Sequence, residues 1–408
     1  MKTEKKKSKK KPWILFRHKV ARVLIGAVFL PYVKLKYNVK ITKYKQPKGK
    51  PMLVLYNHQT GYDQFFIAAA FKRPVYYVAS EDIFSMGFLS KIIKYLVNPI
   101  PIKKQTTDAR AVINCIRVAK EGGTIAIAPE GNRTFGGATV HIKSSITALA
   151  RHLGLPIAFF RIEGGYGVHP RWSDVVRHGK MKAGISRVVE PEEYKAMSDD
   201  QLYELICNEL YCNEATVDGE YRHKDLAEYM ERAIYVCPEC GLSTFESHGD
   251  TIRCKKCGLT LRYTATKELV SDKGESPFRF VNDWYNYQND YVNDLNLTEM
   301  DDSPLYNEDI SLYEVVLYKK KQMLHEKAKI SLYPDRIDIN ADGASYSFGF
   351  DSITAISVLG KNKLNIYYDG KVYQITGDSR FCALKYVNLC FRYKNLIKGD
   401  HNERFLGL

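Results

Sequence analysis

The chain has 408 residues, 45% of them hydrophobic and 12% aromatic, which fits a folded protein of two or three domains and excludes a disordered one. Its net charge is +15, yet residues 1–50 hold 17 Lys and Arg against the single acid Glu4, so the remainder is close to neutral. A uniformly basic surface is excluded, and an anionic partner would be drawn to the N-terminus.

Behind the lysine run, "KPWILFRHKVARVLIGAVFLPYVKLKY" mixes apolar and basic residues. Its longest uncharged run, Val23 to Val33, is shorter than the roughly 20 apolar residues a bilayer span needs. The stretch suits an amphipathic helix in a membrane interface, with lysines at the headgroups and Trp13 at the boundary. No small-residue cleavage site follows Leu30, which argues against a signal peptide. Residues 1–50 therefore read as a basic, membrane-interfacial segment. The expected partner is an anionic membrane surface, and the expected location is peripheral, on the cytoplasmic face of the cell membrane. The competing reading is a basic tail followed by a buried helix.

From residue 51 strands and helices alternate. "PMLVLYN" reads as a strand, "YDQFFIAAAF" as a helix and "VYYVAS" as a strand. "SMGFLSKIIKYLV" is amphipathic and helical, "PIPI" is short and extended, and "TDARAVINCIRVAKEGG" is a helix closed by glycines. "TIAIAPEG" is a buried strand entering a turn, "VHIKSSITALARHLG" is helical, and "LPIAFFRIEGG" is another strand. Residues 198–235 read as helical. The alternation predicts an α/β domain over 51–235 with a central, mostly parallel sheet. Ligand sites in such sheets gather in loops after strand C-termini, where both His58 and "PEGNRT" fall.

"CPECG" and "CKKCG" place Cys237, Cys240, Cys254 and Cys257 as two C-x-x-C knuckles, the pattern of a four-cysteine zinc ribbon over 236–265. Four protein ligands leave no open position, so the expected Zn2+ is structural. The other five cysteines, scattered along the chain, read as buried free thiols. Over 266–311, a helix with Phe280, Trp284, Tyr287 and Tyr291 on one face precedes an acidic linker, "NLTEMDDSPLYNED". Over 312–398, about seven short strands and a terminal helix resemble a pleckstrin-homology or GRAM-like domain.

The segment "LYNHQTGYDQ" has a plain local reading. Asn57 and Gly61 are turn residues, and Thr60-x-x-Asp63 is a helix-capping box in which His58 is incidental. A second block, "APEGNRT", follows about seventy residues later, again after a strand. Together "NHQTGYD" and "APEGNRT" resemble the glycerolipid acyltransferase family, the 1-acylglycerol-3-phosphate (lysophosphatidate) acyltransferases. Its His-x-x-x-x-Asp block corresponds to His58 and Asp63, and its Pro-Glu-Gly-x-Arg block to Pro129, Glu130, Gly131 and Arg133. "NPIPIKK" is similar to a third block, with Lys104 where an arginine is common, and "LPIAFF" to a fourth. Ala128, Asn132 and Thr134 depart from the usual residues, and Lys104 keeps the charge but lacks the planar fork. The order of acyltransferase, zinc ribbon and C-terminal β domain also resembles acyltransferase-like proteins of low-GC Gram-positive bacteria.

The resemblance implies an O-acyltransferase that moves an acyl group from acyl-CoA or acyl carrier protein to the hydroxyl of lysophosphatidic acid, giving phosphatidic acid. His58 would be the general base and Asp63 its partner, while Glu130, Gly131, Arg133 and Lys104 would bind the acceptor. The residue types suit this chemistry. A neutral alcohol is a poor nucleophile, a histidine can take its proton, and a carboxylate on the other ring nitrogen fixes the tautomer. Arg133 offers a bidentate fork to a phosphate, and Glu130 would orient it or bond the glycerol. The alternatives are another lysophospholipid acceptor or a nonenzymatic zinc-ribbon protein binding nucleic acid. No nucleic-acid partner is expected, because "FESHGD" flanks the ribbon and the positive charge lies far away in sequence.

Overall fold

The computed structural model describes residues 11–102, 109–316 and 321–398. The first half alternates as the sequence predicts. In chain order it runs α1 (Phe16–Tyr37), β1 (Val39–Ile41), β2 (Leu53–Tyr56), α2 (Asp63–Ala70), β3 (Val75–Ser80), α3 (Phe88–Val97) and β4 (Ile100–Ile102). There follow α4 (Ala109–Lys120), β5 (Thr124–Ile127), α5 (Ser145–Leu153), β6 (Ile157–Glu163), the single turn α6 (Gly165–Val168), β7 (Met181–Val189), α7 (Pro191–Lys195) and α8 (Asp199–Leu210).

The strands form one sheet in the order β1-β7-β6-β2-β5-β3-β4, parallel at every pairing except β6 with β7. Strands β2 and β5 are buried along their whole length, which is why they read as unbroken apolar runs. Side chains alternate across β2. Val54 and Tyr56 pack with Tyr37, Phe66 and Ile67 on one face, while Leu53 and Leu55 pack with Cys115, Ile146 and Leu202 on the other. Helices thus cover both faces, and the sheet's C-terminal edge is left for chemistry.

Three details differ from the sequence reading. A boundary at residue 50 falls too late, because Val39–Ile41 already pairs with Met181–Ala183 in the sheet. Only Ser145–Leu153 of "VHIKSSITALARHLG" is α-helical. Of 198–235, only Asp199–Leu210 is α-helical. The chain beyond is drawn out by tertiary bonds: the buried Glu214 carboxylate accepts the Gly164 and Tyr166 N–H groups, and the Lys267 ammonium donates to the Glu214 and Val217 carbonyls. Such long-range demands override helical periodicity.

The second half begins with short ribbon strands β8 (Val236–Cys237), β9 (Gly241–Leu242), β10 (Phe245–His248), β11 (Thr251–Cys254), β12 (Thr260–Tyr263) and β13 (Leu269–Val270), then α9 (Val281–Asp294). Further strands follow: β14 (Tyr306–Glu314), β15 (Gln322–Leu332), β16 (Arg336–Ala341), β17 (Ala344–Gly349), β18 (Ala355–Leu359), β19 (Lys363–Tyr368) and β20 (Lys371–Thr376). They pair antiparallel in the order β17-β16-β15-β14-β20-β19-β18, a half-barrel open between its two edges, and α10 (Ala383–Ile397) packs on it.

Two expectations there need correction. Strand β14 starts at Tyr306, so the end of the acidic "linker" is already sheet. The ribbon, α9 and the half-barrel also share one continuous core and do not form separate units. The Tyr306 hydroxyl reaches the Tyr235 and Ser243 carbonyls, and the Trp284 indole N–H donates to the Val236 carbonyl. The aromatic face of α9 is the packing seam the sequence suggests. Phe278 stacks on Trp284, with ring centroids 5.5 Å apart, and lies 5.3 Å from Tyr287.

Candidate active site and metal centre

Strands β2 and β5 are hydrogen-bonded neighbours, with Leu53 opposite Ile125 and Leu55 opposite Ile127. Because they run parallel, the loops at their C-terminal ends leave the sheet side by side. That adjacency brings His58 to Glu130 across 72 positions of sequence. The Glu130 carboxylate accepts the His58 backbone N–H at 2.7 Å and the Val140 N–H at 3.1 Å. Glu130 therefore fixes the backbone under His58 and makes no bond to Arg133, contrary to the orienting role expected from the sequence. Burial pushes its carboxyl up to about 8, against the two N–H groups that pull it down.

His58 Nδ1 lies 2.7 Å from Asp63 Oδ2. Asp63 is fully buried and also accepts the Gln59 N–H at 2.9 Å, the Thr60 N–H at 2.9 Å and the Thr60 hydroxyl at 2.7 Å. Four donors match the lone-pair capacity of a carboxylate. Asp63, the first residue of α2, thus bonds loop N–H groups and pairs with His58 through the same side chain. In the capping-box reading the Thr60 side chain would cap the helix, but here its hydroxyl donates to Asp63 and accepts the Tyr62 N–H. Asn57 is more than a turn residue, because its amide exchanges hydrogen bonds with Ile162 N and O at 2.8 Å each and locks β2 to β6.

About a quarter of the His58 side chain reaches solvent, and its Nε2 has no hydrogen-bond partner among the described residues. Burial lowers its pKa below the ordinary histidine value, and the Asp63 hydrogen bond only partly opposes this. The ring is therefore neutral near pH 7, with its proton held at Nδ1 by Asp63 and a lone pair at Nε2.

Gly131 turns the second loop with φ +70°, and its N–H bonds the Ala128 carbonyl at 3.0 Å. A side chain at that φ would be strained although the space around it is open. Arg133 follows, and its guanidinium makes no hydrogen bond or ion pair among the described residues. Burial depresses its pKa, opposed first by the Asp63 carboxylate. It is a largely desolvated cation, near enough to His58 for its charge to lower that histidine's pKa. Lys104 lies outside the described residues.

Sequence reasoning missed His169, Arg171 and Lys361. The Tyr37 hydroxyl lies 3.0 Å from His169 Nδ1, and Arg171 donates to the Arg133 carbonyl at 2.8 Å. None of them belongs to a motif block, and no local pattern could have marked them.

The four predicted metal ligands do assemble. Cys237, Cys240, Cys254 and Cys257 place their sulfur atoms within 4.8 Å of one another, with 3.5 Å between Cys237 and Cys257 and 3.6 Å between Cys240 and Cys254. A tetrahedron with metal–sulfur bonds of about 2.3 Å has edges of about 3.8 Å, so the donor set fits one ion. Of the remaining cysteines, Cys115, Cys212, Cys382 and Cys390 are buried free thiols and Cys207 is half-buried.

The acyltransferase family model matches residues 38–162, which run from β1 into β6 and contain both loops. A zinc-ribbon model, described as the 7 kDa subunit of DNA directed RNA polymerase, matches residues 230–265. No curated protein matches the chain. Among solved structures, the 1-acyl-sn-glycerophosphate (LPA) acyltransferase PlsC of Thermotoga maritima is similar at 19% identity, over 47% of this chain and 90% of that one, with a TM-score of 0.37. Residues 38–162 thus match the acyltransferase family, and the four-cysteine segment at 230–265 matches a zinc-ribbon family.

Proposed function

We propose that the protein is a peripheral membrane O-acyltransferase that transfers a fatty acyl group from acyl-CoA or acyl carrier protein to the free hydroxyl of 1-acylglycerol-3-phosphate. One observation carries this reading: a neutral His58, oriented by Asp63 at 2.7 Å and open at Nε2, shares the sheet edge with the desolvated Arg133. His58 Nε2 takes the proton of the acceptor hydroxyl as its oxygen attacks the thioester carbonyl, and Asp63 steadies the imidazolium that forms. The C–O bond forms, the C–S bond breaks, and the imidazolium returns its proton to the departing thiolate. Neither a serine nor a cysteine nucleophile is required. Arg133 holds the acceptor's phosphate, and Gly131 lets the loop present it. The four cysteines hold a closed structural Zn2+, which takes no part in the transfer. The C-terminal half-barrel and α10 form a pleckstrin-homology or GRAM-like module.

The membrane reading is supported by α1. Phe16, Val23, Leu24, Val28 and Leu35 are all more than 60% exposed, while the opposite face packs through Ala21, Val33 and Tyr37. On α3, which packs against α1, Phe88 and Tyr95 extend the same kind of apolar surface. Basic residues flank it on Arg17, Lys34, Lys36, Lys91 and Lys94, as an anionic headgroup layer requires. Trp13, expected at the membrane boundary, is half-buried and tied to the protein. Its indole N–H donates to the Asn98 carbonyl at 3.0 Å, and the backbone N–H groups of Trp13 and Ile14 bond Glu121. No helix among the described residues is long and apolar enough to cross a membrane.

The decisive experiment incubates purified protein and lysophosphatidate-containing vesicles with acyl-CoA or acyl carrier protein thioester and measures phosphatidic acid. Formation with either donor supports the reading, and absence of product with both sinks it. Co-sedimentation with anionic vesicles or duplex DNA at matched salt tests the partner. Retention by DNA alone would favour the nucleic-acid alternative.

A further inference from the structure

The loop that follows β6 and α6 carries a chain of unusual bonds between the two halves of the molecule. Arg171 is almost fully buried and spends its guanidinium on three backbone carbonyls: Arg133 at 2.8 Å, Gly360 at 2.8 Å and Val358 at 3.0 Å. The first belongs to the Pro-Glu-Gly loop, and the other two to the β18–β19 hairpin of the half-barrel. The same guanidinium lies 4.1 Å over the ring of Phe135, which is buried in the C-terminal core only two residues after Arg133. The hairpin is therefore fastened to the loop that bears the phosphate-binding arginine.

The next residue of that hairpin is Lys361. Its ammonium lies 2.8 Å from Asp174 Oδ1, but Asp174 does not depend on it, since Arg232 already holds both Asp174 oxygens, at 2.8 and 3.1 Å. Three residues before Asp174 stands Arg171, and two before that stands His169, which is 8% exposed. The Tyr37 hydroxyl and His169 Nδ1 share a hydrogen bond of 3.0 Å; in the tautomer where the hydroxyl donates, the ring carries its proton on Nε2, and that buried nitrogen has no partner among the described residues. Burial and the surrounding charges, first Lys361 and then Arg133, push its pKa down to about 3, so the ring stays neutral, and with Tyr37 as donor to Nδ1 its Nε2–H is free to donate. A buried imidazole nitrogen without a partner, close enough to Arg133 and Lys361 to feel both charges, is costly unless a partner arrives. An anion supplies one.

We infer that the acceptor's phosphomonoester group binds at a composite site of Arg133, His169 Nε2–H and Lys361, so that the C-terminal half-barrel contributes directly to substrate recognition, with Arg171 as the positioning residue that fastens the two halves. The inference rests on the acyltransferase reading for the identity of the acceptor but not for the existence of the anion site. It also gives the half-barrel a role: without its hairpin the site lacks one of its two flanking cations.

The test uses the full-length chain with glycerol 3-phosphate, the headgroup without its acyl tail, and calorimetric titration as readout. Wild type binds it, and Lys361→Met and His169→Phe each weaken binding about tenfold or more. Lys361→Arg restores binding, and thermal unfolding of Lys361→Met stays near wild type because Arg232 still pairs Asp174. In turnover, Lys361→Met raises KM for lysophosphatidate by a similar factor and leaves KM for the acyl thioester unchanged. Wild-type affinity in folded Lys361→Met and His169→Phe would overturn the composite site even if acyl transfer is intact. Failure of wild type to bind any glycerol 3-phosphate would overturn it as well. Headgroup binding that follows this pattern without acyl transfer would instead refute the enzymatic reading and leave the site standing.

Discussion

The two motif centres of this chain are built on opposite plans. At His58–Asp63 the carboxylate is fully satisfied, and the atom left open is Nε2 of the partly exposed His58 ring. At the four cysteines every donor turns inward on one point, with sulfurs within 4.8 Å of each other. An arrangement with one free atom can exchange a proton, and one with no free position can only hold the chain together. Both rest on short, regular spacings, so spacing alone does not separate catalysis from structure. The count of unsatisfied atoms does.

Removing the metal should have the largest effect. Structural zinc supplies about 10–16 kcal/mol of binding free energy in isolated zinc-finger peptides, and here the ribbon shares its core with α9 and the half-barrel. Cys254→Ser, or a strong chelator, should lower the melting temperature of the whole C-terminal half. Activity should fall for both substrates together, which differential scanning calorimetry and paired KM measurements will show. A variant with normal melting and a selective loss of turnover would break the contrast and give the ribbon a catalytic role.

His58→Ala is the converse. Loss of a general base costs about 10²–10⁴ in rate, while the fold should hold, since the His58 side chain's hydrogen bond among the described residues is to Asp63. Asp63→Asn should lower kcat similarly and also destabilise, because an amide nitrogen would face a donor among the four that the carboxylate now accepts. Single-turnover kinetics and thermal melts of both variants separate the two effects. Near-normal turnover by soluble His58→Ala would return Asp63 to a capping residue.

Arg133→Ala should raise KM for lysophosphatidate by about ten- to a hundredfold, the value of charged hydrogen bonds at about 1.5–3 kcal/mol, with the thioester KM unmoved. Equal loss for monoacylglycerol, which lacks the phosphate, would show that Arg133 does not read that group.

The smallest effects are titrations. His58 has its pKa depressed by burial, so kcat/KM should be flat from about pH 6.5 to 7.5 and fall only below the ordinary histidine value. Glu130 has its carboxyl raised to about 8, so the folded state binds its proton more tightly than the unfolded one. Its contribution to stability is full below the unfolded value of about 4.3 and is lost as pH rises through about 8. Glu130→Gln leaves one of the two bound backbone N–H groups facing an amide donor, a cost of about 1–3 kcal/mol. The gap in melting temperature between wild type and Glu130→Gln should narrow from about pH 5 to about pH 8. A widening gap would mean that Glu130 is ionised in the fold.

Much of this was legible locally. The buried runs at β2 and β5, the cysteine knuckles and the aromatic face of α9 all follow from side-chain periodicity and ligand spacing, which act over a few residues. Two short blocks likewise singled out His58, Asp63, Gly131 and Arg133 as candidates. The roles of Asn57 and Glu130 were not legible, because each is defined by backbone groups 105 and 72 positions away. The end of α8 was misread for the same reason: Glu214 and Lys267 serve distant carbonyls and N–H groups.

The sequence by itself determined that a strand-to-helix turn carries a histidine five residues before an aspartate, and that four cysteines can close on one ion. Both are consequences of chain geometry over one or two turns. Only the tertiary structure decided that β2 lies beside β5, which turns two separate loops into one site. It alone decided that the β18–β19 hairpin is fastened to the Arg133 loop through Arg171. The physical reason is the same in both cases. Buried donors and acceptors must be paired wherever the fold brings them together, and which ones meet depends on strand order and packing rather than on neighbours in the chain.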